Sequence, residues 1–155
     1  PETSRFRYTD TRKPERLFPV SSPTMLIHIF GNPDLPQDAL PVILLPRLKS
    51  ALPEHTFRFT DPNELDLPRD GEDFTAPDTV LGLKTVPEIT LDEIEANAMR
   101  ATTHDFDLSS YLLLVRKLRP EIAIRIIGVP MDSDADTVLP AIIALLQEST
   151  HKNHL

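Results

Sequence analysis

The chain has no cysteine and only 4 glycines in 155 residues. Without cysteine there can be no disulfides, thiolate nucleophiles or cysteine metal sites, so any metal must be held by histidine and carboxylate side chains. No apolar run approaches the roughly 20 residues that span a bilayer. Neither a GxGxxG nor a Walker motif is present, which argues against a nucleotide-binding loop.

Basic side chains are also in the minority, with 16 Lys and Arg against 24 Asp and Glu and a net charge of −8. This balance argues against a nucleic-acid or anionic-membrane partner, since both reward clustered positive charge. The length fits one domain with a substantial core. We expect a monomeric, cytoplasmic protein that binds no nucleic acid and does not span a membrane.

The two ends of the chain differ from its centre. Residues 1–22 show no periodicity and carry five basic side chains against three acidic ones, which predicts an extended or disordered N-terminal arm. A single α/β domain is expected over residues 23–150. Residues 151–155 are expected to form a frayed tail.

Within the domain, strands and helices alternate. Apolar runs predict strands at Met25–Phe30, Thr56–Thr60 and Ile122–Val129, with further extended segments at Asp78–Leu81 and Thr85–Leu91. Helical spacing predicts helices at Asp38–Leu52, Asp92–Met99, from Leu108 onward, and at Thr137–Glu148. This order is typical of a three-layer α/β/α fold with a mostly parallel, twisted sheet. The first and last strands should lie in its interior because they are uninterruptedly apolar.

Proline is abundant, at 16 residues. Pro46 falls in a helix interior, where it is expected to cause a bend. Pro77 comes directly before Asp78 and lacks the backbone N–H of a ladder donor. This strand is therefore predicted to be an edge, a bulge or a shifted strand.

The segment RATTHDFDLSSYLLLVRK, residues 100–117, contains a single histidine, His104, ahead of an amphipathic run. From Leu108 the apolar spacing is helical, and Asp107 is in a position to cap that helix. His104 is therefore predicted to lie in a loop just before the helix, with its side chain directed into a cleft.

Three ionisable residues fall on separate connections of the predicted sheet: Asp38, Asp78 and His104. Ligands bind such sheets beyond the carboxyl ends of the strands. Two carboxylates and one imidazole match ligand sets that hold Zn, Ni or Fe with open positions. The alternative for Asp38 is a helix cap favoured by the helix dipole.

Taken together, GNPDLPQDALP after the first strand, DTVLGL in the middle and TTHDFDLSSYLLL after it resemble the hydrogenase maturation proteases, most closely the archaeal-type branch. The resemblance covers roughly Met25 to Glu148. It implies a nickel-dependent endopeptidase that removes the C-terminal extension of a nickel–iron hydrogenase large-subunit precursor. Where many members have a glycine-rich sequence in the first loop, this chain has Pro36, Gln37 and Ala39.

The resemblance also implies roles for the three ionisable residues. Asp38, Asp78 and His104 correspond to the side chains that contact nickel, and they are the expected metal-ligating and catalytic residues. The nickel is expected to arrive with the immature large subunit. A crystal without that substrate would be expected to hold no metal or an adventitious divalent cation.

Two other functions stay open at this stage. The protein could be a non-catalytic maturation module that binds metal or the hydrogenase precursor without cleaving it. It could also be an α/β domain that binds a small ligand at the same sheet edge. His28, inside the first strand, is expected to be a core or sheet-face histidine.

Overall fold

A five-stranded sheet forms the centre of the structure, a computed structural model that describes residues 24–61, 64, 66–97 and 103–152, with backbone alone at 97, 103–107 and 149–152. The predicted arm at 1–22 and residues 153–155 of the predicted tail lie outside the described residues. The strands are β1 (Leu26–Ile29), β2 (Thr56–Phe59), β3 (Phe74–Val80), β4 (Glu88–Ile89) and β5 (Ile124–Pro130). Their spatial order is β2-β1-β3-β5-β4. Only β4 is antiparallel to its described neighbour.

Among the described residues, four helices cover the two faces of the sheet: α1 (Leu40–Ala51), α2 (Leu91–Asn97), α3 (Thr103–Leu118) and α4 (Ala135–Lys152). Alternate strand residues separate the core into two clusters. Ile27 and Ile29 of β1 pack with α1 and α4, together with Ile127 of β5. Ala76 and Ile126 pack with α3 on the opposite face. The predicted three-layer α/β/α fold is therefore confirmed, and so is the interior position of β1 and β5.

Helix α1 follows the first loop and packs against one face of the sheet. Leu44 and Leu48, one turn apart, are fully buried against Ile142 and Leu146 of α4. Full burial of each such side chain contributes about 1.5–3 kcal/mol, so this stripe anchors α1 firmly. Pro46 lies on the exposed side of the helix, which continues as one element through it.

Helices α3 and α4 begin earlier than the apolar spacing predicts. Helix α3 starts at Thr103, so the prediction that Asp107 caps a helix starting at Leu108 is wrong. Helix α4 starts at Ala135 and reaches Lys152, which places residues 151 and 152 of the predicted tail in the helix. The sequences THDFD before Leu108 and AD before Thr137 are mostly polar and have no helical apolar spacing, so the spacing did not predict these first residues as helical.

Strand β3, which contains Pro77, lies between β1 and β5, so the predicted edge position is wrong. It pairs with β5 along its whole length, from Phe74 to Val80. Phe74 donates its N–H to Ala123 on the β5 side, and successive residues of a parallel strand bond alternately to its two neighbours. Pro77 therefore faces β1, and there the ladder is reduced to the single pair Ile27↔Thr75. The missing N–H shortens one ladder without displacing the strand.

Candidate functional site

The connection from β1 to α1 folds back on itself at Gly31. Its φ of 145° is one that side chains rarely adopt, and an added Cβ would collide with the backbone oxygen of Asp38 and lie 3.2 Å from Val42 Cγ2. Glycine is therefore required here by both conformation and space. It brings the two ends of the loop, residues 31 and 38, into direct contact.

Asn32 organises the same loop from within. Its side-chain Oδ1 accepts a hydrogen bond from the Asp34 N–H at 3.0 Å, and its carbonyl accepts one from the Leu35 N–H at 3.1 Å. The Asn32 N–H donates to Asp38 Oδ2 at 2.9 Å. These bonds hold residues 32–38 as a series of turns, the local chemistry that asparagine favours.

Asp38 does not cap α1. The helix begins at Leu40, with Ala39 in the cap position and no side-chain capping bond. The half-buried Asp38 carboxylate instead accepts two hydrogen bonds, from the Asn32 N–H to Oδ2 and from the Thr79 hydroxyl to Oδ1 at 3.0 Å. This carboxylate joins the first loop to the central strand, which the capping interpretation does not explain.

Asp78 lies near the carboxyl end of β3, in register with Gly128 of β5, and is half-buried. It follows Phe74 and Ala76 at two-residue spacing, so it belongs to the α3 face of the sheet. Thr79 belongs to the opposite face, where it reaches Asp38. Asp38 and Asp78 are thus close in the fold but approach the end of β3 from different faces.

His104 is the second residue of α3, so the prediction that it lies in a loop ahead of the helix is wrong. Its side chain lies outside the described part of the structure. The backbone of α3 nevertheless shows which edge of the sheet the first turn of this helix approaches. Helix α3 ends just before β5 begins, so it runs opposite to that strand, and its first turn lies toward the carboxyl edge of the parallel strands.

The connections that leave β1 and β3 diverge at this edge. Strand β1 leads to α1 on one face of the sheet, whereas β3 leads through β4 to α2 and α3 on the other. Adjacent parallel strands with diverging connections form a crevice beyond their carboxyl ends, the place where ligands bind in open α/β sheets. Asp38 and Asp78 flank this crevice.

Two carboxylates, those of Asp38 and Asp78, belong to the described residues at this edge of the sheet. Across the described side chains, no group of three or more His, Asp or Glu residues has a geometry that could hold one. A complete site here needs a further ligand, and the first turn of α3 is the element that approaches the same edge. Carboxylate with imidazole suits Ni, Zn or Fe, as the sequence indicated.

Thr79 is the residue of this site that sequence reasoning missed. It immediately follows Asp78, and it is 2% exposed, because it lies against the loop that carries Asp38. A hydroxyl in a strand has no distinctive spacing. The available signal was its position directly after Asp78, in the segment DTVLGL.

The other described histidines lie away from the crevice. His28 is buried on the α3 face of β1 and stacks on Phe74 with ring centroids 4.8 Å apart, which confirms a sheet-face histidine. Burial, with a smaller contribution from Arg58, lowers the pKa of His28 below 6.5. His55, buried after α1, accepts a long 3.5 Å bond from the Met25 N–H, and burial also lowers its pKa.

Neither protein-family models, nor curated proteins, nor solved structures give a match to this chain. Among the helices described, none is long and apolar enough to cross a membrane.

Proposed function

We propose that this protein is an endopeptidase that removes the C-terminal extension of a nickel–iron hydrogenase large-subunit precursor. The observation that supports it most is the Asp38 carboxylate, fixed at the divergence of β1 and β3 by Asn32 and Thr79. A carboxylate held this way by two donors is oriented before a ligand arrives, as metal ligands commonly are.

The ligand set in the proposal is Asp38, Asp78 and His104. Three protein ligands are too few to close a structural metal site, so positions remain for groups from a substrate. The nickel belongs to the precursor in this proposal, and its binding reports that the large subunit is ready for cleavage. A cytoplasmic location and a monomeric state stay predictions.

Other peptidase chemistries have less support from the chain. Cysteine is absent, and Ser109 and Ser110 have no elbow glycines around them. Hydrolysis assisted by a metal is the chemistry that the available side chains favour.

The test is to mix the full chain with a large-subunit precursor, either nickel-loaded or nickel-free, and to follow the precursor mass. We expect shortening of the nickel-loaded precursor alone. Asp38→Asn, Asp78→Asn and His104→Ala should each abolish it. Asp34→Asn is the matched control. Asp34 is an exposed acidic residue of the same loop, its loop hydrogen bond is made by its backbone N–H, and its side chain has no role in the proposed site.

Three outcomes separate the alternatives. Equal cleavage of both precursors, or full-rate cleavage by His104→Ala, contradicts nickel recognition. Nickel-dependent binding of the precursor without shortening would replace the enzyme with a non-catalytic maturation module. If the chain neither binds nor cleaves the precursor, the remaining alternative is an α/β domain that binds some other ligand.

A further inference from the structure

A cavity of about 380 Å³ lies on the α3 face of the sheet, away from the crevice at Asp38. Its described walls are β1, the end of β2, the start of β3, Tyr111 of α3 and the described part of the segment that connects β2 to β3. Two side chains hold that segment by its backbone: the Tyr111 hydroxyl donates to the Asp66 carbonyl at 2.8 Å, and Arg119 Nη1 donates to the Pro68 carbonyl at 3.0 Å. The cavity is therefore formed by the fold before any ligand binds, and its volume suits a small molecule or one side chain.

His28 lines this cavity and is only 9% exposed. Its Nδ1 lies 3.1 Å from Thr60 Oγ1, and the Thr60 hydroxyl donates its one proton to the Arg58 carbonyl at 3.3 Å. When the Thr60 hydroxyl donates to Arg58, its oxygen can accept from His28, and the proposal below takes this arrangement, with the imidazole proton on Nδ1. Nε2 is left as an acceptor, and it makes no hydrogen bond to any residue within the described ranges.

The charges around the cavity are unequal. Among the described lining residues, acidic residues outnumber basic ones by five to two, the basic ones being Arg58 and Arg69. The carboxylates belong to Asp61, Glu64, Asp66, Glu72 and Asp73. A neutral imidazole acceptor in an acidic cavity favours a ligand that is positively charged and donates hydrogen bonds.

The aromatic wall adds to this preference. His28 and Phe74 stack with an angle of 13° between their rings, and Tyr111 lies against Phe74 at 5.7 Å. Phe74 is only 1% exposed and its face is covered by His28, so this wall offers apolar contact to the alkyl chain of an organic cation and no open ring face to its charge. A metal ion is less suited, because the described side chains contain no cluster of three ligands.

We propose that this cavity is a binding site for an organic cation, whose ammonium or guanidinium group donates a hydrogen bond to His28 Nε2. The site shares no residue with the Asp38 crevice. It therefore stands independently of the proposed peptidase activity.

The first measurement is the imidazole ¹⁵N NMR spectrum of the full chain at neutral pH. We expect the His28 ring to be neutral, with the proton on Nδ1. Thr60→Val, which removes the acceptor of that proton, should shift the tautomer toward Nε2–H and weaken cation binding. A His28 ring already protonated on Nε2 in the wild-type chain would overturn the proposal.

The second measurement is a titration of the same signals with n-butylammonium, methylguanidinium, neutral n-butanol, acetate and Zn²⁺. Saturable shifts with the two organic cations alone are expected. Glu64→Gln should weaken their binding by about two- to fivefold, since a rim charge contributes modestly, whereas Asp132→Asn, outside the cavity, should not. Equal response to n-butanol, binding of acetate or Zn²⁺ alone, or no saturable shift would contradict the proposal.

The cationic group could belong to a free amine or to a basic peptide side chain. N-acetyl-lysine amide distinguishes the two sources in the same titration. Tighter binding than n-butylammonium indicates a peptide side chain, and weaker or equal binding indicates a free amine.

Discussion

The Thr79 hydroxyl donates a hydrogen bond of 3.0 Å to the Asp38 carboxylate and thereby joins β3 to the loop that follows β1. The backbone ladder between these two strands is short, because Pro77 has no N–H on the side that faces β1. The side-chain bond therefore fastens the strands at their carboxyl edge, where the ladder does not. The same contact that compensates for Pro77 also orients the candidate ligand.

The first prediction concerns the stability that this bond contributes. Thr79→Val keeps the shape and strand preference of the side chain but removes the donor, and it should lower the free energy of unfolding by about 1 kcal/mol. Urea unfolding measures the change. Thr75→Val is the matched control, because Thr75 is buried on the same face of β3 and its hydroxyl makes no such bond to a described residue. Equal losses in the two variants would mean that the Asp38 contact contributes nothing.

The second prediction compares two glycines with positive φ. Gly31→Ala forces a side chain into the backbone of Asp38, whereas Gly82→Ala, at a φ of 83°, meets nothing within 4 Å. Gly82→Ala should cost about 1 kcal/mol from backbone strain alone, and Gly31→Ala should cost more, about 2–4 kcal/mol. Thermal and urea unfolding of both variants check the difference. A smaller loss of unfolding free energy for Gly31→Ala than for Gly82→Ala would contradict this prediction and show that the loop accommodates the added Cβ.

The fold was largely predictable from the sequence because its signals are apolar and local. The uninterrupted run at Ile122–Val129 predicted an interior strand, and β5 is one. Pro77 led to a wrong prediction of an edge position for β3. A missing N–H disfavours a central strand only where many backbone hydrogen bonds are needed on that side, and β3 makes its long ladder with β5 instead. The start of α3 at Thr103 was missed because the sequence THDFD before Leu108 has no helical apolar spacing.

The candidate site was predictable only in part. Asp38 and Asp78 follow from chain order, since the residues after parallel strands share one edge of the sheet. The pairing of Asp38 with Thr79 depends on how the loop folds back at Gly31, a tertiary contact with no periodicity. The cavity at His28 could not be foreseen, because its far wall is an irregular segment held by Tyr111 and Arg119.

The third prediction is a loss of stability in mild acid. Burial lowers the pKa of both His28 and His55 below 6.5, so the unfolded chain takes up their protons first as the pH falls. The stability that the neutral rings contribute is fully present above about pH 6.5. It is lost as the pH falls from there toward the lowered pKa values of the folded state. Urea midpoints at pH 7.5 and 5.5 measure it. The double variant His28→Gln with His55→Gln should show a smaller drop, and an unchanged drop would assign the pH dependence to other groups.

The last prediction separates the ligand role of Asp38 from its structural role. Asp38→Asn removes the negative charge of the ligand and also one hydrogen-bond acceptor. The carboxylate accepts from the Asn32 N–H with one oxygen and from the Thr79 hydroxyl with the other, whereas an amide has only one oxygen. Thr79→Val loosens the same carboxylate but leaves it in place. If Asp38 contacts the nickel of the precursor, Asp38→Asn should reduce processing at least about a hundredfold, and Thr79→Val by about tenfold, the range of changes in groups that orient a ligand. Initial rates of precursor shortening, compared at matched stability by adjusting temperature, give the ratio. If Asp38 serves only to hold the loop, the two variants will lose activity in proportion to their loss of stability, and the nickel content of the precursor will not alter that ratio.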